Sequence, residues 1–178
     1  MNSLEGVMVV GLTGQTGAGK TTVCRIFSEN GFSIINADHV ARQVMEKGQP
    51  CLKEICEFFG KDILLENGIL DRPKLAGLVF TDKKKLELLN SITYPYITSE
   101  ILKTIRRLSF QGNKLILLDA PTLFESRADD FCELIISVIS RDNLRLERIV
   151  ERDKISRESA QYRMDSPVSY THLRAHET

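Results

Sequence analysis

The amino-acid sequence predicts an α/β protein in which a parallel sheet is flanked by helices. Short apolar runs rich in β-branched residues alternate with segments of helical periodicity, which is the order typical of a parallel sheet. The glycine-rich segment GQTGAGKTT separates the first apolar run from the first helical segment. A length of 178 residues fits one domain that buries a substantial core.

Four apolar runs predict the strands, at residues 7–13, 32–38, 114–121 and 133–140. The first of them ends in glycines, as a buried parallel strand commonly does. Helical periodicity predicts the helices, at residues 20–31, 38–48, 50–60, 72–80, 84–92, 96–108, 143–153 and 156–164.

Individual residues predict where these helices start and stop. Gly31 stops the first helix, and Asp38 starts the second. Pro50 lies near the start of the third, whose predicted buried face comprises Leu52, Ile55, Cys56 and Phe59. Asn67-Gly68 predicts a turn, and Pro95 predicts a break between the helices at 84–92 and 96–108. The helix-rich middle is interpreted as an insertion over the carboxyl edge of the sheet, where ligands bind in such folds.

Composition excludes several classes of protein. Lys and Arg total 24, as do Asp and Glu, so no net charge attracts nucleic acid or an anionic membrane. No apolar run has the length of a transmembrane helix, and the N-terminus lacks the basic region of a signal peptide. The four cysteines show neither a CxxC pair nor zinc-ligand spacing. We therefore expect a cytoplasmic protein without a nucleic-acid or membrane partner, and its oligomeric state is left open.

The pattern Gly14-x-x-x-x-Gly19-Lys20-Thr21 matches a P-loop between a strand and a helix. Its glycines allow backbone N–H groups to surround a phosphate, and its lysine supplies a point charge for the β- and γ-phosphates. The Thr21 hydroxyl is a ligand for Mg²⁺. The predicted nucleotide-binding residues are Gly14, Gln15, Thr16, Gly17, Ala18, Gly19, Lys20, Thr21 and Thr22.

Two carboxylates have alternative interpretations. Asp119 follows a hydrophobic run and either binds Mg²⁺ near the P-loop or merely ends a strand. Asp38 and Arg42 lie four residues apart and share a helix face. Asp38 either caps its helix, with Arg42 as a solvated partner, or orients an attacking hydroxyl and accepts its proton.

Arg145, Arg148 and Arg152 recur on one face of a helix in which glutamates are interleaved. They belong either to a solvated helix laced with ion pairs or to a mobile lid over a transferring phosphoryl group. The GTPase motifs NKxD and DxxG are absent, since NKLI at Asn113 lacks the aspartate and DAPT at Asp119 lacks the glycine. Spacing alone still allows kinases that resemble adenylate kinase or shikimate kinase.

From Val7 to about Ser166 the chain resembles the dephospho-coenzyme A kinase family. The matching segments are GLTGQTGAGKTT, INADHVARQV, ILDRPKLAGLVF, LLNSITYPYI, LDAPTLFES and RLERIVERDKISRE. The resemblance implies a P-loop kinase fold with a helical substrate domain and a lid. It also implies transfer of the γ-phosphate of ATP to the ribose 3′-hydroxyl of dephospho-CoA, with Mg²⁺ as cofactor.

The resemblance assigns Asp38 as catalytic base and 3′-hydroxyl ligand, beside Lys20 as the other catalytic residue. It implies that Arg42 contacts the acceptor. Tyr94 and Pro95 align with a His-Pro pair of the substrate domain, and the tyrosine removes the titratable group that is usual there.

The resemblance also assigns residues later in the chain. Leu123 and Glu125 align with a PLLFE segment of the family's substrate site, in which this chain has Thr122 in place of a leucine. Arg148 and Arg152 align with the lid arginines that contact ATP, whereas Arg145 stands where glutamine is common.

The predicted organisation is one kinase-like domain over residues 1–166. Its core spans 1–48 and 112–140, its helical substrate region 49–111 and its lid 141–160. Residues 167–178, PVSYTHLRAHET, resemble the translation of a transposon sequencing adaptor and are expected to be non-native; a natural polar tail is the alternative. The family usually continues with a strand and helix that shape the adenine pocket, so we expect the chain to be truncated. The rival functions are a P-loop kinase for another acceptor, such as a nucleoside monophosphate, and a non-catalytic nucleotide-binding regulator.

Overall fold

The computed structural model describes residues 6–165, so the predicted tail lies outside the described residues. The strands are β1 (Met8–Gly14), β2 (Ser33–Asn36), β3 (Leu115–Asp119) and β4 (Leu134–Val138). The helices are α1 (Lys20–Glu29), α2 (Ala37–Val44), α3 (Pro50–Phe59), α4 (Arg72–Phe80), α5 (Lys83–Phe110), α6 (Asp142–Asp153) and α7 (Arg157–Asp165). Short 3₁₀ turns occur at Lys61–Ile63 and Ala128–Phe131. No helix of the described residues is long and apolar enough to cross a membrane.

The strands form one parallel sheet in the order β2-β3-β1-β4, which confirms the predicted fold class. Asp119 at the end of β3 pairs with Leu12 on one side and with Asn36 on the other. Gly14 at the end of β1 pairs with Val138 of β4. The carboxyl ends of all four strands therefore meet at one edge, where ligands bind in parallel sheets.

The two central strands of the sheet, β1 and β3, are buried on both faces. On one face Val10, Leu12 and Leu117 are at most 2% exposed, and Val23 and Phe27 of α1 pack against them. On the other face a Cβ built at Gly11 would lie 2.9 Å from both Cys132 Sγ and Leu123 Cδ2. The apolar character of β1 and β3 reflects this two-sided burial, whereas β2 has one buried residue and β4 has none.

The described chain forms two compact units. One contains the sheet and comprises the chain up to Asn36 and from Thr104 onward. The other is helical and comprises Ala37–Lys103.

The helical unit confirms the predicted turn at Asn67-Gly68. Gly68 N–H donates to the Leu65 carbonyl at 2.8 Å, and the turn leads to α4, which Asp71 caps by accepting a 3.1 Å bond from the Lys74 N–H.

The predicted face of α3 is partly wrong. Its buried residues are Cys51, Leu52 and Ile55, whereas Cys56 and Phe59 are partly exposed.

The predicted break at Pro95 is wrong, because α5 continues through it for 28 residues. Proline lacks the N–H that would bond to the carbonyl one turn earlier, so it costs a helix about 3 kcal/mol. The residues on the inner side of α5 nevertheless recur at helical spacing and are at most 8% exposed: Ile92, Ile97, Ile101 and Ile105. Burial of this apolar stripe offsets the lost hydrogen bond, and the exposed Pro95 lies away from it.

Candidate nucleotide-binding site

The glycine-rich loop joins the end of β1 to the start of α1, as the motif predicts. At two positions of the loop only glycine fits, because the backbone has a positive φ and neighbouring backbone atoms leave no space for a Cβ. Gly14 has φ 146°, and a Cβ there would lie 2.4 Å from the Val138 carbonyl oxygen of β4. Gly17 has φ 79°, and a Cβ there would lie 2.8 Å from the Arg145 carbonyl oxygen of α6. The loop therefore packs directly against the backbone of two other elements.

Hydrogen bonds within the loop fix its turn. Ala18 N–H donates to the Gln15 carbonyl at 3.0 Å, and Thr22 N–H donates to the Gly19 carbonyl at 3.0 Å. The Lys20 ammonium donates to the Gly14 carbonyl at 2.9 Å, which places its charge back over the loop. The N-terminus of α1 begins at the same residue, so its partial positive charge adds to that of the lysine. This combination is suited to binding an anion.

The remaining loop residues differ in exposure. Gln15 is buried at 8% exposed, whereas Thr16, Thr21 and Thr22 are exposed. Thr21 lies in the first turn of α1, where its hydroxyl is accessible to a ligand.

Asp119 lies at the carboxyl end of β3, the strand adjacent to β1. Asn36, at the end of β2, donates from its amide to Asp119 Oδ2 at 3.2 Å. The Cys24 thiol of α1 also donates a hydrogen bond to Asp119; burial first, and then this carboxylate, raise the pKa of Cys24 to about 11. Sequence reasoning missed both neighbours, although Asn36 is the polar residue directly after Ile34 and Ile35 in β2.

The donor set fits a magnesium ion. Asp119 supplies a carboxylate and Thr21 a hydroxyl, and Mg²⁺ prefers such oxygen ligands. The described residues contain no cluster of three or more His, Cys, Asp or Glu side chains that would form an all-protein metal site. That is compatible with Mg²⁺, which usually binds one or two carboxylates together with water and substrate phosphates.

The three arginines of α6 have different surroundings. Arg145 is only 2% exposed; its Nε donates to the Thr16 carbonyl at 3.0 Å and its guanidinium donates to Asp142 Oδ1 at 2.9 Å. It therefore does not belong to a solvated face, and the lid over residues 141–160 stays a prediction. Arg148 is exposed and donates to the carbonyls of Gly17 and Ala18 at 3.3 and 3.2 Å.

Arg152 is held by an acidic residue of its own helix. Its Nε and terminal nitrogen donate to the two carboxylate oxygens of Asp153 at 2.7 and 2.9 Å. Arg163 of α7 donates to the same carboxylate. The hydrogen bonds and charge of these arginines hold the pKa of Asp153 below its usual range. This network joins α6 to α7.

The candidate acceptor residues of the helical unit lie on α2 and α5. Asp38 and Arg42 are exposed, and α2 begins at Ala37, one residue before Asp38. Asp38 therefore lies inside the first turn rather than at the position before the helix, so the capping interpretation is wrong. Tyr94 is half-buried and Pro95 is exposed.

The helical unit also contains a polar pair that the sequence did not reveal. Tyr96 donates from its hydroxyl to Glu54 Oε2 at 2.7 Å. This bond raises the pKa of Tyr96 above its usual value.

Leu123 and Glu125 follow β3 in the sheet unit. Leu123 is fully buried against Gly11, so its side chain contributes to the core. Glu125 is half-buried. Their assignment as substrate contacts stays a prediction.

The family model CoaE, dephospho-CoA kinase, matches residues 8–177. The chain belongs to the dephospho-CoA kinase family. The dephospho-CoA kinase of Listeria innocua is 41% identical over 157 residues, which cover 88% of this chain and 78% of the relative. The family match includes most of residues 167–178, and their non-native origin stays a prediction.

Solved structures resemble the chain over nearly its whole length. TT1252 from Thermus thermophilus has a TM-score of 0.78 at 26% identity, covering 94% of this chain and 85% of that one. Dephospho-CoA kinase from Campylobacter jejuni has a TM-score of 0.58 at 27% identity, covering 96% of this chain and 84% of that one. The P-loop kinase fold expected from the sequence is thus confirmed.

Proposed function

We propose that this chain transfers the γ-phosphate of ATP to the ribose 3′-hydroxyl of dephospho-CoA, giving coenzyme A and ADP. The observation that carries this proposal is the family match over residues 8–177, which includes the whole P-loop. We also place the reaction in the cytoplasm, because all four cysteines are free thiols and such thiols persist in reducing compartments.

The phosphates are bound by the residues from Gly14 to Thr22. Lys20 already lies over the loop at 2.9 Å from the Gly14 carbonyl, and the N-terminus of α1 points at the same place. Phosphoryl transfer proceeds through a loose transition state, so alignment and charge neutralisation supply most of the acceleration. Lys20 neutralises charge on the β- and γ-phosphates in this proposal.

Thr21 and Asp119 would hold Mg²⁺, the second through its carboxylate or through water. When bound there, the ion would supply neutralisation of the charge on the phosphates of ATP. The Asn36 amide and the Cys24 thiol orient the carboxylate of Asp119 by donating hydrogen bonds to it.

Asp38 aligns the 3′-hydroxyl and accepts its proton. Its exposure in the first turn of α2 leaves the carboxylate accessible to a substrate. Arg42 lies one helical turn later, where its guanidinium can bind an anionic group of the acceptor. The other proposed acceptor contacts are Tyr94, Pro95, Leu123 and Glu125.

Arg148 and Arg152 contact the phosphates of ATP from α6. Arg148 is exposed and donates to two carbonyls of the loop, so its guanidinium lies beside the proposed phosphate site. To contact a phosphate, Arg152 must break or share its two hydrogen bonds with Asp153.

The deciding experiment measures ADP release from MgATP with dephospho-CoA, AMP, uridine or shikimate as acceptor. The protein is first shown to unfold cooperatively and to bind ADP. We expect stimulation by dephospho-CoA alone. Stimulation by AMP or another acceptor would instead identify a different small-molecule kinase. ADP binding without stimulation by any acceptor would favour a nucleotide-binding regulator and contradict the proposal.

A further inference from the structure

Arg145 is a buried charge that the proposed function does not use. Its side chain is 3% exposed, although arginine is almost never fully buried unless its charge is paired. Burial of such a group is costly unless its N–H donors are paired. Asp142 pairs with the terminal nitrogen at 2.9 Å and keeps its own carboxylate 67% exposed, which reduces the cost. The Arg145 Nε–H donates to the Thr16 carbonyl of the P-loop at 3.0 Å.

That bond determines the direction of a peptide unit. The described residues contain no cis peptide bond, and a trans peptide places the carbonyl of one residue opposite the N–H of the next. Because the Thr16 carbonyl points to Arg145, the Gly17 N–H points away from α6. N–H groups presented by a glycine-rich loop are the groups that bind phosphate in P-loops.

Packing of α6 on the same peptide supports this reading. A Cβ at Gly17 would lie 2.8 Å from the Arg145 carbonyl oxygen, 3.1 Å from the Arg145 Cα and 3.1 Å from Ile149 Cγ1. Ile149 is fully buried, so α6 cannot retreat from the loop without opening the core. This contact fixes the distance between the loop and α6, but van der Waals contact is not directional. The hydrogen bond from Arg145 is directional.

We propose that Arg145 is a positioning residue of the phosphate-binding loop: its Nε–H holds the Thr16 carbonyl and thereby orients the Gly17 N–H toward bound phosphate. The inference rests on the proposed nucleotide-binding role of this loop. The role requires from residue 145 one N–H donor on a side chain long enough to reach the Thr16 carbonyl. The positive charge of the arginine is secondary. A glutamine side chain supplies such a donor, whereas a methionine of similar length supplies none.

The test compares full-length wild type, Arg145→Gln and Arg145→Met. ADP affinity is measured by calorimetry without acceptor, and the Gly17 amide resonance is followed by NMR in the unliganded protein. We expect Arg145→Met to bind ADP about tenfold more weakly, because a hydrogen bond from a charged donor is lost. Its Gly17 resonance should shift, while Arg145→Gln should keep the wild-type resonance and an affinity within about threefold. KM for ATP should rise in Arg145→Met and stay close to the wild-type value in Arg145→Gln. KM for dephospho-CoA should not change in either variant.

Asp142→Asn is the matched control, because it weakens the charge pair but leaves the donor to Thr16 in place. We expect its ADP affinity to equal that of wild type. An Arg145→Met protein that unfolds cooperatively and binds ADP like wild type would overturn the inference. Should Arg145→Met not fold, Arg145→Gln decides, since a folded glutamine variant with ADP affinity more than about tenfold weaker contradicts a role based on the donor.

The same measurements separate this inference from the proposed reaction. If ADP affinity depends on Arg145 as described but dephospho-CoA does not stimulate ADP release, the inference is supported and the proposed acceptor is wrong. If dephospho-CoA stimulates ADP release but ADP affinity does not depend on the donor at position 145, the proposed reaction is supported and the inference is contradicted.

Discussion

Asp38 is the residue whose proposed role is most open to a kinetic test. It is exposed, lies inside the first turn of α2 and shares a helix face with Arg42. We expect Asp38→Asn to lower kcat by about a hundredfold while KM for ATP changes little, because a general base contributes about that much or more to the chemical step. Steady-state kinetics with each substrate varied provides the measurement.

Asp62→Asn is a suitable control, since Asp62 is an exposed aspartate in the 3₁₀ turn of the same unit. It should leave kcat unchanged. A folded Asp38→Asn enzyme with near-normal kcat would show that Asp38 is not the base.

Gly17 and Gly77 offer a matched pair of glycine substitutions. Gly17 has φ 79° and no space for a Cβ, whereas Gly77 lies in helix α4 with nothing within 4 Å of a Cβ. We expect Gly17→Ala to lower the free energy of unfolding by about 1–3 kcal/mol through its positive φ alone. Gly77→Ala should raise it by about 0.5–1 kcal/mol. Denaturant unfolding monitored by circular dichroism distinguishes these signs, and equal effects would contradict the described loop geometry.

At the scale of an element, α5 accommodates Pro95 at a cost that can be measured. The proline deletes one backbone hydrogen bond in a continuous helix of 28 residues. We expect Pro95→Ala to raise the free energy of unfolding by about 1–3 kcal/mol, since it restores this bond and relieves the ring contact with the preceding turn. Urea unfolding of the two proteins provides the comparison.

Pro50→Ala is the control for this substitution. Pro50 occupies the first turn of α3, where its missing N–H has no partner within the helix. We expect Pro50→Ala to lower the free energy of unfolding by about 0.4–1 kcal/mol, opposite in sign to Pro95→Ala, because the unfolded chain gains conformational freedom. A Pro95→Ala protein no more stable than wild type would indicate that α5 is interrupted in solution.

At the scale of the whole molecule, buried thiols link stability to pH. Burial, assisted by Asp129, raises the pKa of Cys132 to about 12, whereas a thiol in an unfolded chain has a pKa of about 8.5. Above pH 8.5 the unfolded chain loses a proton that the folded chain retains, so the free energy of unfolding falls as pH rises. Each such thiol contributes a slope that approaches about 1.4 kcal/mol per pH unit.

We therefore expect the denaturant midpoint to be lower at pH 10 than at pH 8. In Cys132→Ala the decline should be smaller, because that contribution is removed. A Cys132→Ala protein with the same pH dependence as wild type would show that the thiol does not remain protonated in the fold.

The sequence by itself determined the fold class, the P-loop and the family. These features depend on local patterns: apolar runs of strand length, glycines at fixed spacing next to a lysine, and several short motifs in one order. The same local reasoning failed at Pro95, because the preference of proline to end a helix is outweighed by burial of residues far along α5.

Only the tertiary structure decided which side chains surround the loop. The bond between Arg145 and the Thr16 carbonyl joins positions 129 residues apart, and the bond between Asn36 and Asp119 joins positions 83 residues apart. No periodicity in the sequence encodes such pairs, because they arise when strand order and helix packing bring separate segments to one edge of the sheet. Arg145 shares a helix with Arg148 and Arg152, and it was burial against the P-loop that distinguished it from them.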